Sequence, residues 1–340
     1  MIPKKVILDC DPGSDDAIAM MLAMKSDAID LIGVTTVNGN RIVPKTTENA
    51  LRVVQFMKAS VPVYRGCEEP IICNEIPGRK PGLPRVTLND CHGDFLTLPE
   101  AEIRTEKEHA VFYLVKTLME SQGDIYVAAV GPLTNLAMAL RIEPKIAGKI
   151  KQLVIMGGGH CGANASPAAE FNFYADPEAA KIVMDSAIPK VILPLDATWR
   201  ACLSEEKCKE LAQLGTPEAK VAAALVQKRI DNLKVNDVSE HNYALRHQAG
   251  TVAGAMLYRY DNHMAPIHDA LAIAYLINEN VVTELADANV DIDIAGGLCD
   301  GRMVADFHNT KKSKDPVTAK VALNSDAGLF TDMLFAALGK

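Results

Sequence analysis

Residues 6–20, VILDCDPGSDDAIAM, run from an apolar stretch into four aspartates, Asp9, Asp11, Asp15 and Asp16, and then into a pattern with helical spacing. Four carboxylates within eight positions repel one another, and the array makes sense where a hard cation or a polyhydroxyl ligand takes up their charge and lone pairs. Oxygen donors of this kind favour Ca²⁺ or Mg²⁺ over zinc. The plainer reading is helix capping by Ser14 or Asp15, with the extra acids favoured by the helix dipole. Capping accounts for one or two acids but not for four.

Two loop patterns can be tested against the spacing. As a calcium loop of the EF-hand kind starting at Asp9, the segment has Ser14 where glycine is needed and Met20 where a bidentate glutamate belongs, so that reading fails. As the start of a haloacid-dehalogenase-type phosphatase, Asp9 fits as nucleophile and Asp11 as acid/base, but Gly13 replaces the expected Thr or Val. An aspartyl-phosphate phosphatase stays open as an alternative, as does a Ca²⁺-dependent ribose-binding module without catalysis.

The elements that must carry these residues follow from the alternation of patterns. Apolar, β-rich runs at 6–8, 31–37, 61–64, 125–130, 153–156 and 191–195 alternate with helical patterns near 15–25, 46–59, 108–120, 134–140 and 176–185. This rhythm predicts an α/β fold, an open, mostly parallel, Rossmann-like sheet with helices on both faces. Ligands of such sheets collect beyond the carboxyl ends of the strands. Those ends read DCDPGSDD, TTVNGN, AAVGPLTN, MGGGHCGAN and PLDATWR, all polar or rich in glycine. Two segments, 67–100 and 234–266, have the composition of long surface loops, which beside a strand-end crevice often act as lids.

Composition sets further bounds. A chain of 340 residues with 49% hydrophobic content can bury a large core, and no repeat or linker divides it, so a single domain over 1–340 is expected. No apolar run is long enough for a membrane span, and the N-terminal apolar stretch stops at Asp9, too short for a signal peptide. Eight cysteines without CxxC spacing fit reduced thiols, and a cytoplasmic location is expected. A formal charge of −8 argues against nucleic acid or anionic lipid as partners.

Taken in order, VILDCDPGSDDAIA, TTVNGN, GPLTNLAMAL, MGGG followed by NASPAAEFNFYADPEAA, and IHDALAIAYLI resemble the nucleoside hydrolases of the inosine-uridine preferring type across nearly the whole chain. That family splits the N-glycosidic bond of ribonucleosides to ribose and free base around a bound Ca²⁺. The resemblance implies that Asp11, Asp16, Asp269 and the backbone carbonyl of Val130 hold Ca²⁺, with a water and two ribose hydroxyls completing its shell. Val130 stands where the family commonly has threonine, and a carbonyl ligand is indifferent to that change. Asp11 would also act as general base on the bound water. Asp15 would grip the 2′-hydroxyl, Asn40 and Asn172 the ribose hydroxyls, and Asn164 and Glu170 the 5′-hydroxyl.

For the leaving base, the resemblance points to His268, beside Asp269, as proton donor; purine-specific members carry tryptophan at that position. His92 and Tyr260 would lie against the base. Trp199, the only tryptophan, is assigned to packing rather than to base stacking. The reading adopted is a Ca²⁺-dependent ribohydrolase of uridine-like or several nucleosides, a homodimer or homotetramer.

Overall fold

In a computed structural model of the chain, residues 2–72, 93–235, 263–308, 310 and 319–340 are described, the side chains of 233–235 excepted. The elements run β1 (Lys4–Cys10), α1 (Ser14–Lys25), β2 (Ile29–Thr36), α2 (Val43–Phe56), β3 (Val63–Arg65), α3 (Ala110–Glu120), β4 (Ile125–Ala129) and α4 (Thr134–Ile142). There follow β5 (Ile150–Met156), α5 (Phe171–Ala175), α6 (Pro177–Met184), β6 (Lys190–Leu193), α7 (Leu195–Thr198), β7 (Cys202–Ser204), α8 (Glu205–Gln213) and α9 (Pro217–Val235). The chain ends with β8 (Met264–Pro266), α10 (His268–Ile277), β9 (Val282–Ile292), β10 (Met303–Asp306), β11 (Ala319–Ser325) and α11 (Ala327–Leu338).

Nine strands form one sheet in the order β10-β9-β11-β6-β5-β4-β1-β2-β3. From β3 to β11 all neighbours are parallel, and β9 runs antiparallel to both β11 and β10. A small antiparallel pair, β7-β8, stands apart. Because both faces of the main sheet are covered, its central strands read as continuous apolar runs. In β1 the alternation sends Val6 and Leu8 into the core shared with α1, α9, α10 and α11, and Ile7 into the core under α3, α4 and α6.

The first six strands give the order 3-2-1-4-5-6, in which the chain leaves β1 in one direction and returns to its other side at β4. Crossovers diverge at that point, so the carboxyl ends of β1 and β4 open a crevice. The aspartate-bearing turn follows β1 directly. Of the two loop-like segments, residues 67–72 and 93–100 carry neither helix nor strand, and 73–92 lie outside the described residues. α9 extends to Val235 and β8 begins at Met264, with 236–262 between them also outside. Among the described residues no helix is long and apolar enough to cross a membrane.

Candidate active site

The four aspartates of the turn do not act as one group. Asp9, still within β1, accepts hydrogen bonds from Thr35 Oγ1 at 2.6 Å and Asn135 Nδ2 at 2.7 Å. The same amide donates to the Thr36 carbonyl at 3.0 Å, and its oxygen accepts the Cys67 N–H at 2.8 Å. Asp9 thus ties β2, α4 and the segment after β3 to the central strand. It is fully buried, and burial raises its carboxyl to about 6 against those donors. The thiol of Cys10 is buried too, with the Thr35 carbonyl 3.8 Å away.

Asp11 is the first residue beyond β1. Its Oδ2 accepts the Asn40 N–H, and its side chain fits between Gly39 and Gly131: a Cβ on Gly39 would lie 1.9 Å from Oδ2, and one on Gly131 would lie 2.6 Å from Oδ1. These two glycines are therefore required for close approach rather than for backbone freedom. Asn40 Nδ2 donates to the Asp11 carbonyl at 3.1 Å and to Asp16 Oδ2 at 3.3 Å.

Asp16 reaches back over the start of α1, accepting the Asp11 N–H at 3.1 Å and the Gly13 N–H at 2.9 Å. Neither Ser14 nor Asp15 therefore caps the helix: Gly13 is the cap position, and Asp16 supplies the acceptor. Asp15 Oδ2 lies 2.8 Å from Nη1 of Arg229, a buried residue of α9.

Asp269, in the first turn of α10, completes the cluster. Among the described residues, one oxygen each from Asp15, Asp16 and Asp269 lies within 4.8 Å of the others, and all three are buried. Asp11 is not in that group of three, although its charge is felt by Asp269. Burial first, and then the neighbouring Asp16 and Asp15, pushes Asp11 well above the usual carboxylate range. Burial followed by Asp15, Asp16 and Asp11 does the same to Asp269. Such a concentration of oxygen donors suits a hard divalent cation.

The other side of the crevice is built on α5. Glu170 caps that helix: Oε1 accepts the Asn172 N–H at 2.9 Å, and Oε2 accepts the N–H groups of Gly158 at 2.7 Å and Phe173 at 3.3 Å. Gly158 has a φ of +74°, which favours glycine. Burial raises the Glu170 carboxyl to about 7. Asn172 Nδ2 donates to the carbonyls of Val130 at 2.8 Å and Met156 at 3.1 Å, joining the ends of β4 and β5. Asn164 Oδ1 accepts the Phe171 N–H at 2.9 Å, closing the loop before α5. Asp176 caps α6.

His268 opens α10 and is buried, with Nδ1 2.8 Å from Thr198 Oγ1. His92 and Tyr260 lie outside the described residues. Trp199 is buried, its ring against Gly162, in keeping with a packing role. Thr198 and Arg229 were not identified from the sequence. Thr198 sits inside PLDATWR, where the strand-end position was a signal; Arg229 lies in an ordinary-looking charged helix, QKRIDNLK, and gave none.

The model of the inosine-uridine preferring nucleoside hydrolase family matches residues 6–332. The pyrimidine-specific ribonucleoside hydrolase RihB of Escherichia coli O157:H7 is 36% identical over 334 residues, spanning 97% of this chain and 95% of that protein. Among solved structures, a plant nucleoside hydrolase, the PpNRh1 enzyme, is similar with a TM-score of 0.80 and 27% identity, covering 99% of each chain. The purine-preferring ribonucleoside hydrolase from Gardnerella vaginalis has a TM-score of 0.83 and 25% identity, covering 99% of this chain and 98% of its own. The acidic cluster agrees with the metal ion this family binds. With the mostly parallel sheet and the crevice at its switch point, these likenesses make the chain a hydrolase of ribonucleosides, belonging to the inosine-uridine preferring nucleoside hydrolase family.

Proposed function

We propose that the chain hydrolyses uridine-like or several ribonucleosides with Ca²⁺ held at the β1–β4 crevice. The observation that carries this reading is the convergence of buried acids from two distant segments, Asp15 and Asp16 with Asp269, beside Asp11. The donor set fits a hard cation, being all oxygen, with burial first and the neighbouring acids second raising two carboxyls well above their usual range. Asp11, Asp16, Asp269 and the Val130 carbonyl would hold it. A carbonyl has two lone pairs, so Val130 can serve a cation while accepting from Asn172. When bound, the ion supplies charge that acidifies a water and gathers ribose hydroxyls.

The chain's own groups do the rest. Asp11 takes the proton of the attacking water as the water adds to the anomeric carbon. The remaining carboxylates stabilise the positive charge that develops on the ribosyl group. Asp15 accepts from the 2′-hydroxyl. Asn40 and Asn172 have their amide nitrogens engaged by protein acceptors, leaving their oxygens for ribose hydroxyls. Asn164 and Glu170 meet the 5′-hydroxyl. His268, steadied by Thr198, delivers a proton to the leaving base; the base roles of His92 and Tyr260, outside the described residues, rest on the family resemblance alone.

The phosphatase alternative is disfavoured because Asp9, its required nucleophile, is fully buried and bonded to Thr35 and Asn135. Assay of base release from uridine, cytidine, inosine, adenosine and guanosine tests the proposal, with p-nitrophenyl phosphate as the competing substrate. Release of uracil at a kcat/KM at least comparable to that for adenine is expected. Strict preference for adenosine or guanosine would refute the uridine assignment, phosphate release without base would favour a phosphatase, and binding without turnover would favour a binding module.

A further inference from the structure

Arg229 is a buried guanidinium held 2.8 Å from Asp15, both side chains being less than a tenth exposed. α1 and α9 pack together, and a second ion pair joins their opposite ends, Lys25 Nζ in the last turn of α1 to Glu218 Oε1 in the first turn of α9, at 3.1 Å. The two helices therefore run antiparallel and are pinned at both ends. The Lys25–Glu218 pair touches no site residue. The Arg229–Asp15 pair bears on a carboxylate with two competing employments: one of its oxygens lies within 4.8 Å of oxygens of Asp16 and Asp269, near enough to join them around a cation, and the same residue is assigned to the 2′-hydroxyl.

A guanidinium on Asp15 Oδ2 opposes a divalent cation at the same carboxylate, since two positive charges so close in a buried site repel strongly. The ion pair also ties Oδ2 to α9, a restraint that a side chain on a helix start would otherwise lack. We propose that Arg229 is a positioning residue that assigns Asp15 to the sugar rather than to the metal, and so sets the enzyme's discrimination for ribose over 2′-deoxyribose. The proposal rests on the ribose role given to Asp15 above. Without Arg229, Asp15 turns to join Asp16 and Asp269 at the cation, and the 2′-hydroxyl loses its acceptor.

The test compares the full-length wild type with Arg229→Met, Arg229→Gln, Arg229→Lys and, as a control for helix pinning alone, Lys25→Met. Two quantities are read: the ratio of kcat/KM for uridine to that for 2′-deoxyuridine, and Ca²⁺ affinity of the nucleoside-free protein by calorimetry. R229M and R229Q should lower the ratio about tenfold or more, a fraction of the discrimination that a lost hydroxyl partner commands, while binding Ca²⁺ more tightly than wild type. R229K should restore most of the ratio, and K25M should leave both quantities unchanged even if its melting temperature falls. R229M or R229Q protein that melts cooperatively with an unchanged ratio overturns the proposal, as does an equal loss of ratio in K25M. Wild type that cleaves uridine and 2′-deoxyuridine equally would refute the ribose role of Asp15, a failure visible without any variant.

Discussion

Replacing Gly39 by alanine tests how tightly the site is built around Asp11. The added Cβ would lie 1.9 Å from Oδ2, 2.4 Å from Cγ and 2.7 Å from Cβ of Asp11. The oxygen contact alone is about 1.5 Å closer than ordinary van der Waals approach. Rotation of the Asp11 side chain does not relieve it, because its own Cβ, which rotation leaves in place, is among the clashing atoms. The backbone around residue 39 must move instead, which breaks the Asn40 N–H bond to Oδ2. Misplacement of a reacting group by about 1 Å costs on the order of 10²-fold in rate, and overpacking costs about 1–3 kcal/mol in stability. Gly39→Ala should therefore lower kcat for uridine about 10²-fold while lowering the melting temperature modestly. Gly148→Ala, where a Cβ meets nothing within 4 Å, is the matched control and should change neither. Turnover of Gly39→Ala within about threefold of wild type would refute the claim that the position of Asp11 governs the reaction.

Asp11→Asn keeps the volume but removes the basicity, and kcat should fall at least about 10²-fold; near-normal turnover with metal retained would remove Asp11 from the role of base. Loss of the Thr198 contact to His268 in Thr198→Val should slow uridine about tenfold, and His268→Ala at least about 10²-fold. Neither should much affect p-nitrophenyl riboside, whose leaving group needs little protonation; parallel losses on both substrates would show that His268 is not the proton donor. Burial raises Glu170 to about 7 in the folded protein, above its unfolded value. Its contribution to stability is thus complete below about 4.3 and is lost as pH rises through about 7. Glu170→Gln, which cannot ionise, should gain melting temperature relative to wild type between about pH 5 and about pH 8, and a constant offset would contradict the buried-carboxyl argument.

The first half of the fold was legible because each parallel strand is covered on both faces and so appears as an apolar run between turn signals. The expected run at 125–130 became Ile125–Ala129, and the helix expected near 134–140 became Thr134–Ile142. The antiparallel edge was not legible. β9 does alternate apolar and polar residues over 286–292, ADANVDI, burying Ala288, Val290 and Ile292, but a strand with one exposed face lacks the continuous apolar run by which the parallel strands were recognised. Within the site, the density of aspartates announced the crevice but not how they divide. Asp9 belongs to a structural network reaching Asn135, and Asp16 doubles as a helix-start acceptor. Contacts such as Thr198 with His268 or Arg229 with Asp15 join residues far apart in the chain, and nothing local in either segment records them.

Turnover of uridine by chelator-stripped protein titrated with Ca²⁺ tests the account most directly, with uracil release followed continuously and bound metal measured by elemental analysis. The stripped protein should release no more than about a hundredth of the base released by the loaded protein, the scale of a lost catalytic metal or base. Activity should return as a single ion binds per chain. Full turnover by protein shown to be free of metal, or Ca²⁺ binding to saturation with no base released, would contradict the account.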